Sequence, residues 1–427
     1  MSTDAALLSS CPGREPQVLF PSNEPRHRTG PGAIVWRAAA SCPGGAGARV
    51  AAIGALRGPG SSSAPPLGPQ TAVGVQGPLA ASVAPGGRVA VVGRPAGAPN
   101  GGAPATGAIA FQGRAGEPFE AIPPGPGFAA PFAATSGYLG DLAVAGRAPG
   151  GRLQLQVERF YTTSFVRRSL VSAGPGVRLL TPALDYRSDA MLVWEQGRSI
   201  LAQYLPANGR PRAPRRLAAA GPGLRITALL SDNRRATVAW SEQQGARTDV
   251  YLDRSAPGVR FGEPRLIESF GNPRGIAPPA ASPSLIRLST ESVMLAWSSI
   301  VGGRWVIDSA AVDQDRVGPR ATTSSPAGDA LLADLQAGPR ADALLLWTEP
   351  ARDAVARHAT PEQAIYAARG FRGTAGRVVF EDPEELAPAG PNSEATVAVD
   401  PDSDRTVAVW REGQLLRYSV GEPAPAR

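Results

Sequence analysis

Residues 221–270 read GPGLRITALLSDNRRATVAWSEQQGARTDVYLDRSAPGVRFGEPRLIESF. Gly221-Pro222-Gly223 is a turn, and Leu224 to Leu230 an apolar run of strand length. Ser231 to Arg235 supplies Asp and Asn, whose side chains hydrogen-bond nearby backbone in turns. Ala236 to Trp240 reads as a second strand, and Gln243-Gln244-Gly245 reverses the chain, with glycine free to take the positive φ a hairpin needs. Asp249 to Leu252 forms a third strand. After Pro257-Gly258, Pro264 to Glu268 forms a fourth. Short β-prone runs bounded by Gly, Pro, Asn and Asp predict an all-β unit of four antiparallel strands.

The unit repeats. Apolar runs end in Trp36, Trp194, Trp240, Trp297, Trp347 and Trp410, and the last five tryptophans are spaced by 46 to 63 residues. Val89 to Val92 and Leu142 to Val144 fit the same series without Trp. Ala173-Gly174-Pro175-Gly176-Val177-Arg178-Leu179 is nearly copied at Ala220-Gly221-Pro222-Gly223-Leu224-Arg225-Ile226. A four-stranded antiparallel repeat of about 50 residues is the signature of a β-propeller blade. The count predicts eight blades, with seven as the alternative, in one domain over residues 1–427. Residues 14–150 hold degenerate Gly/Ala/Pro-rich blades and 151–427 the well-formed repeats. Gly-Glu-Pro precedes a fourth strand at 116–118 and 262–264, and recurs at 421–423, where no fourth strand follows within the sequence. Residues 4–10 are therefore expected to complete the last blade and close the ring, which protects sheet edges. One stretch, Ala351 to Arg369, reads as an inserted loop or a short helix around Pro361.

Composition narrows the function. Lysine is absent, so all 43 basic residues are arginine, and the net charge is +7 over 427 residues. Only doublets such as Arg167-Arg168, Arg215-Arg216 and Arg234-Arg235 occur, not the basic stripe of a nucleic-acid groove. No apolar run approaches the length of a membrane helix. The two histidines, His27 and His358, sit in no metal-ligand spacing, and neither a Gly-x-Ser-x-Gly elbow nor a phosphate loop is present. Catalytic and metal residues are therefore not assigned, and enzymatic activity stays open. Calcium is the one cofactor that remains under consideration.

Ser255-Ala256-Pro257-Gly258-Val259-Arg260-Phe261 with Glu263-Pro264, and more loosely Gly376 to Phe380 with Pro383, resemble the Asp-box turn of sialidase-like (bacterial neuraminidase repeat) propellers. Pro257 stands in place of the Asp and Phe261 in place of the Trp. The resemblance implies a fold and transfers no chemistry. A sialidase-like enzyme would need an arginine triad, a Tyr–Glu pair and an Asp acid/base, and no local motif assigns them here.

Three sets of residues stand out. Glu195, Glu242, Glu349 and Glu412 recur just after the tryptophans, and would line one rim of one face as solvated hairpin carboxylates or as a binding row. Trp305 follows Gly302-Gly303 and is the tryptophan expected to be exposed, whereas the others, and Tyr204, Tyr251, Tyr366 and Tyr418, read as packing. Cys11 and Cys42 fall in loops on the same face of a propeller, so a bridge between them is expected. It would contribute roughly 2–4 kcal/mol and place the chain in an oxidising compartment, secreted or in the cell envelope. Met1 to Ser10 lacks a basic start and does not read as a signal peptide. The reading that follows is a monomeric, non-catalytic propeller that binds a protein or carbohydrate ligand. Its rivals are a sialidase-like glycoside hydrolase and a calcium-stabilised carbohydrate-binding module.

Overall fold

The computed structural model describes residues 36–40, 53–56, 75–85, 87–95, 109–114, 120–122, 128–148, 151–159, 165–172, 176–256, 260–271, 283–313, 316–323, 328–339, 342–350, 362–372, 378–413 and 415–421. Two short strands, β1 (Trp36–Ala40) and β2 (Ile53–Leu56), come first among the described residues. Among the described residues six blades follow, each a run of consecutive strands. The first holds β3 (Val75–Ala84), β4 (Arg88–Pro95), β5 (Ile109–Arg114) and β6 (Glu120–Ile122). The second holds β7 (Ala129–Ser136), β8 (Leu142–Arg147), β9 (Arg152–Glu158) and β10 (Phe165–Ser172). The third holds β11 (Val177–Leu184), β12 (Ala190–Gln196), β13 (Ser199–Leu205) and β14 (Arg215–Ala219).

The next three blades add a short hairpin strand ahead of the outermost one. These are β15 (Arg225–Leu230) to β19 (Arg265–Gly271), with β16 (Ala236–Gln244), β17 (Arg247–Ala256) and β18 (Arg260–Phe261) between. Then come β20 (Ser284–Arg287), β21 (Ser292–Val301), β22 (Arg304–Asp313), β23 (Arg316–Val317) and β24 (Ala321–Thr323). The sixth blade is β25 (Leu331–Ala337), β26 (Asp342–Pro350), β27 (Gln363–Arg372), β28 (Val378–Phe380) and β29 (Glu384–Gly390). The hairpin strand β18 pairs Ser255 with Phe261, at the turn that resembles an Asp box.

The remaining sheet is a composite. β30 (Asn392–Val399), β31 (Thr406–Glu412) and β32 (Leu415–Gly421) are joined by β1 on β32 and by β2 on β1. The expectation of eight blades, or of seven, closed by residues 4–10 is thereby corrected. Trp36 does not end the second strand of a blade. It opens β1, whose residues pair antiparallel with β32 from Trp36 against Gly421 to Ala40 against Arg417. An apolar run ending in Trp does not tell a middle strand from a closing one, and its partner strand decides. Residues 4–10 lie outside the described residues. A second correction concerns Ala351 to Arg369. Its part from Gln363 onward belongs to strand β27, paired along its length with β26, and residues 351–361 lie outside the described residues.

The innermost strands touch in a cycle, β3 to β7, β11, β15, β20, β25, β30 and back to β3. The apolar core lies between successive sheets. Leu192 and Trp194 of one sheet, for example, pack with Leu153 and Leu155 of the sheet before. Trp194, Trp240, Trp347 and Trp410 are among the largest fully buried side chains. Each ends an apolar run on a second strand, where a large ring fills the wedge between diverging sheets. Trp240 stacks on Tyr251 (centroids 5.5 Å apart) and Trp347 on Tyr366 (5.8 Å), both directly opposed across the second and third strands.

Candidate ligand-binding site at the axial mouth

Each inner strand turns into the second strand of its sheet at the same end of the ring. The turns are built on side-chain-to-backbone hydrogen bonds, which let polar residues hold reversed chain. Asp185 Oδ1 accepts the N–H groups of Arg187 (2.9 Å) and Asp189 (2.8 Å), with Ser188 at φ 59°. Asn233 Oδ1 accepts Arg235 N–H (3.0 Å), with Arg234 at φ 62°. Asp400 Oδ1 accepts Asp402 N–H (2.9 Å).

These turns ring a cavity of about 110 Å³ on the axis, lined from all seven inner strands by residues such as Ser82, Ser136, Leu184, Leu230, Ile286, Gln336 and Val399. Two groups in its wall are unsatisfied. Ser82 Oγ and Asp185 Oδ2 are buried and have no hydrogen-bond partner among the described residues. A buried polar atom left without a partner costs about 1–3 kcal/mol, so a pair of them around one cavity marks a place for a polar guest. Burial, reinforced by Asp189, pushes the Asp185 carboxyl up to about 6, against the two backbone N–H groups that favour its charge.

Aromatic rings and a guanidinium frame the opening. Tyr138 is 40% and Tyr186 37% exposed, and both line the cavity from turns of neighbouring sheets. They are the exposed aromatic residues among the described ones. Arg187 donates from Nε to the Tyr186 hydroxyl at 2.5 Å and lies 4.8 Å from the ring centre. Arg287, from the fifth sheet, reaches across the opening to sit 5.0 Å from the Tyr138 ring centre while pairing with Asp232. Burial lowers the pKa of Arg287, and the surrounding tyrosines and Asp185 raise it. The arrangement offers two aromatic faces, a cation and two orphaned hydrogen-bonding groups in the wall of one cavity.

The residues singled out from the sequence lie elsewhere. Leu184 pairs with Ala190 at the mouth end of β11 and β12, and Val177 with Gln196 at the far end. Glu195, Glu242, Glu349 and Glu412 stand near the far end of their second strands. Glu242 and Glu349 are buried and accept the indole N–H of Trp240 (3.1 Å) and Trp347 (2.9 Å), two residues back. Alternate residues of a strand share a face, which accounts for the Trp-x-Glu spacing. Gly221 lets the Glu242 carboxylate in, since a Cβ there would stand 2.5 Å from its Oε2. Burial raises the pKa of Glu242. In the third sheet Gln196 takes the acceptor role for Trp194 (3.2 Å), and Glu195 faces Arg178 at 3.7 Å. Glu412 pairs with Arg417. Trp305, expected to be exposed, is 3% exposed and meets Phe270 edge-on at 6.1 Å between ring centres. It begins the inward face of β22 directly after the Gly302-Gly303 turn, so the turn is open and the ring is not. Cys11, Cys42, His27 and His358 lie outside the described residues.

The tyrosines of the mouth were missed by sequence reasoning. Their signal is an aromatic residue at the tip of a first-to-second strand turn, at Gly137-Tyr138 and Asp185-Tyr186, where the fourth and seventh sheets carry Asp, Asn and Ser. Among the described residues no three His, Cys, Asp or Glu side chains gather as a metal site, and no helix is long and apolar enough to cross a membrane.

The fold and site define a β-propeller of repeated antiparallel sheets with arginine-rich ion pairing and a polar axial mouth. Several solved structures are similar to it. The BP39L lectin from Burkholderia pseudomallei aligns with a TM-score of 0.54 at 12% identity, over 82% of this chain and 99% of that one. AofleA from Arthrobotrys oligospora aligns at 0.43 and 12% identity, over 73% and 86%. Trypanosoma rangeli sialidase aligns at 0.37 and 9% identity, over 66% and 52%. At 12% identity the likeness to the BP39L lectin is one of fold. No protein-family model matches the chain, and no curated protein matches it.

Proposed function

We propose that this chain is a non-catalytic binding propeller and that its axial mouth holds one edge of a neutral saccharide, with hydroxyls entering the cavity of about 110 Å³ and the ring resting at the opening. One observation carries the reading: Ser82 Oγ and Asp185 Oδ2, both buried without partners, line one cavity whose opening is framed by the half-exposed rings of Tyr138 and Tyr186. A sugar has the complementary parts, hydroxyls for the two orphans and an apolar ring face for a tyrosine. The fold shared with the BP39L lectin is compatible with that use, as a fold and no more.

The test is calorimetric titration of the full chain with a panel of neutral mono- and disaccharides. One or more should bind, and Tyr186→Ala and Asp185→Asn should each weaken that binding about tenfold or more. Asp185→Asn keeps Oδ1 as the turn acceptor and replaces the orphaned oxygen by a donor, so it probes the site with the turn intact. Absence of binding by the whole panel, or binding unchanged in both variants, removes the axial mouth as a saccharide site.

A second reading is favoured by one group. A carboxyl held near 6 is what a general acid of glycoside hydrolysis requires, and Asp185 has it beside Asp189. Fluorogenic glycosides measure this directly. Turnover abolished by Asp185→Asn would replace the binding reading by the hydrolytic one.

A further inference from the structure

A second cleft opens between the third strands of the fourth and fifth sheets and shares no lining residue with the axial mouth. Its volume is about 480 Å³, within the roughly 300–1,000 Å³ of small-molecule sites. Four arginines line it, Arg235, Arg254, Arg260 and Arg265, against two carboxylates, Asp253 and Glu263. Asp253 is buried, accepts the Gly262 N–H at 3.3 Å, and has its pKa raised by that burial. Arg235 has Nη1 3.2 Å from Glu291, while its Nε–H is buried without a hydrogen-bond partner among the described residues. Arg260 and Arg265 are exposed. Half-buried Phe261 and Val317 give the cleft an apolar side.

The hairpin that borders the cleft differs from its counterpart in the sixth sheet at one position. In the sixth sheet the hairpin strand pairs Phe380 with Gly370, and the ring lies where a Cβ on Gly370 would stand 2.5 Å away. In the fourth sheet the matching pair is Phe261 and Ser255. Ser255 carries a side chain in that seat and uses its Oγ to accept Ala236 N–H (2.8 Å). Phe261 packs beside the apolar cluster shared by the third and fourth sheets and also lines the cleft.

We propose that this cleft is a second binding site, for an acidic saccharide unit whose carboxylate or sulfate meets the arginines and whose ring lies on Phe261 and Val317. Arginine suits such oxyanions because its planar fork offers paired donors. The inference stands apart from the axial site and survives its failure.

Titration calorimetry on the full chain tests it with glucuronate, sulfated glucose, unmodified glucose and inorganic sulfate. In the Tyr186→Ala chain, where axial binding is weakened, the two acidic sugars should bind about tenfold or more tighter than glucose or inorganic sulfate, with affinity falling as salt is raised. Arg260→Gln and Arg265→Gln, both at exposed positions, should each weaken acidic-sugar binding about tenfold. Tyr186→Ala at the axial mouth should leave it unchanged. Binding of carboxylate and sulfate sugars alike points to oxyanion recognition, and binding of one alone names the headgroup. Acidic sugars no tighter than glucose overturn the proposal, as does inorganic sulfate matching them, binding insensitive to both arginine variants, or binding lost in Tyr186→Ala.

Discussion

The blades from Val177 to Gly390 and the two before them solve the same packing problem differently. In the third sheet Leu184 pairs with Ala190 and the second strand runs four residues on to Trp194. In the second sheet the matching pair is Ser136 and Leu142, and the same count reaches Gly146. The wedge at that point is filled from elsewhere. Phe128, 1% exposed, lies so close that a Cβ on Gly146 would stand 2.4 Å from its ring. In the first sheet the corresponding residue is Val92, which packs with Phe128, Leu142 and Val144 in one cluster. One phenylalanine contributed by the connection before β7 thus serves where later sheets each carry their own tryptophan. The repeat conserves filled volume between sheets and lets the residue that fills it move along the chain.

The difference can be broken from either side. Trp347→Ala, at a fully buried ring with a stacked tyrosine, should cost about 3–5 kcal/mol in denaturant unfolding. Phe128→Ala should cost about 3 kcal/mol, and it should loosen the first two sheets without touching the fourth to sixth, readable by hydrogen exchange of β4 and β8. Gly146→Ala, harmless in an ordinary strand, should cost about 1–3 kcal/mol because Phe128 must give way. The double variant Gly146→Trp with Phe128→Ala, which moves the filler to the later pattern, should recover part of the Phe128→Ala loss.

Smaller effects follow from buried carboxyls. Glu158 of the second sheet lies 3.7 Å from Arg88 of the first, near Asp141, and burial pushes its carboxyl up to about 7. The native state therefore holds its proton more tightly than the unfolded chain. That contribution is present in full below about 4.5 and is lost as pH rises through about 7. Melting temperature should fall over this window, and Glu158→Gln should flatten the fall, leaving the part due to Asp185, which has the same sign. Least of all, Glu242→Gln keeps an acceptor for the Trp240 indole and removes a buried charge. Its effect at neutral pH should stay within about 1 kcal/mol, whereas Trp240→Phe leaves Glu242 buried without that donor.

Much of the fold was legible because it rests on local rules. Strand alternation, the Gly245 turn at φ 64° and the Asn233 turn are written in the few residues that make them. Trp36 misled because its run is indistinguishable in composition from a second strand, and only its pairing with β32 shows its place. Trp305 misled because turn chemistry describes the backbone and not the direction of the next side chain. The repeated glutamates were visible, but the indole two residues back that takes up Glu242 and Glu349 requires strand geometry to see. The axial site was hidden because Ser82, Tyr138, Asp185 and Arg287 belong to four sheets and share no motif. Closure of the ring brings them together.

The most direct test of the central claim is a crystal structure of the chain soaked with the neutral sugar that titrates most tightly. The account predicts the sugar at the axial mouth, with hydroxyls within hydrogen-bond distance of Ser82 Oγ and Asp185 Oδ2 and a ring face on Tyr138 or Tyr186. Sugar density away from the mouth, with only water between Ser82 and Asp185, would contradict it.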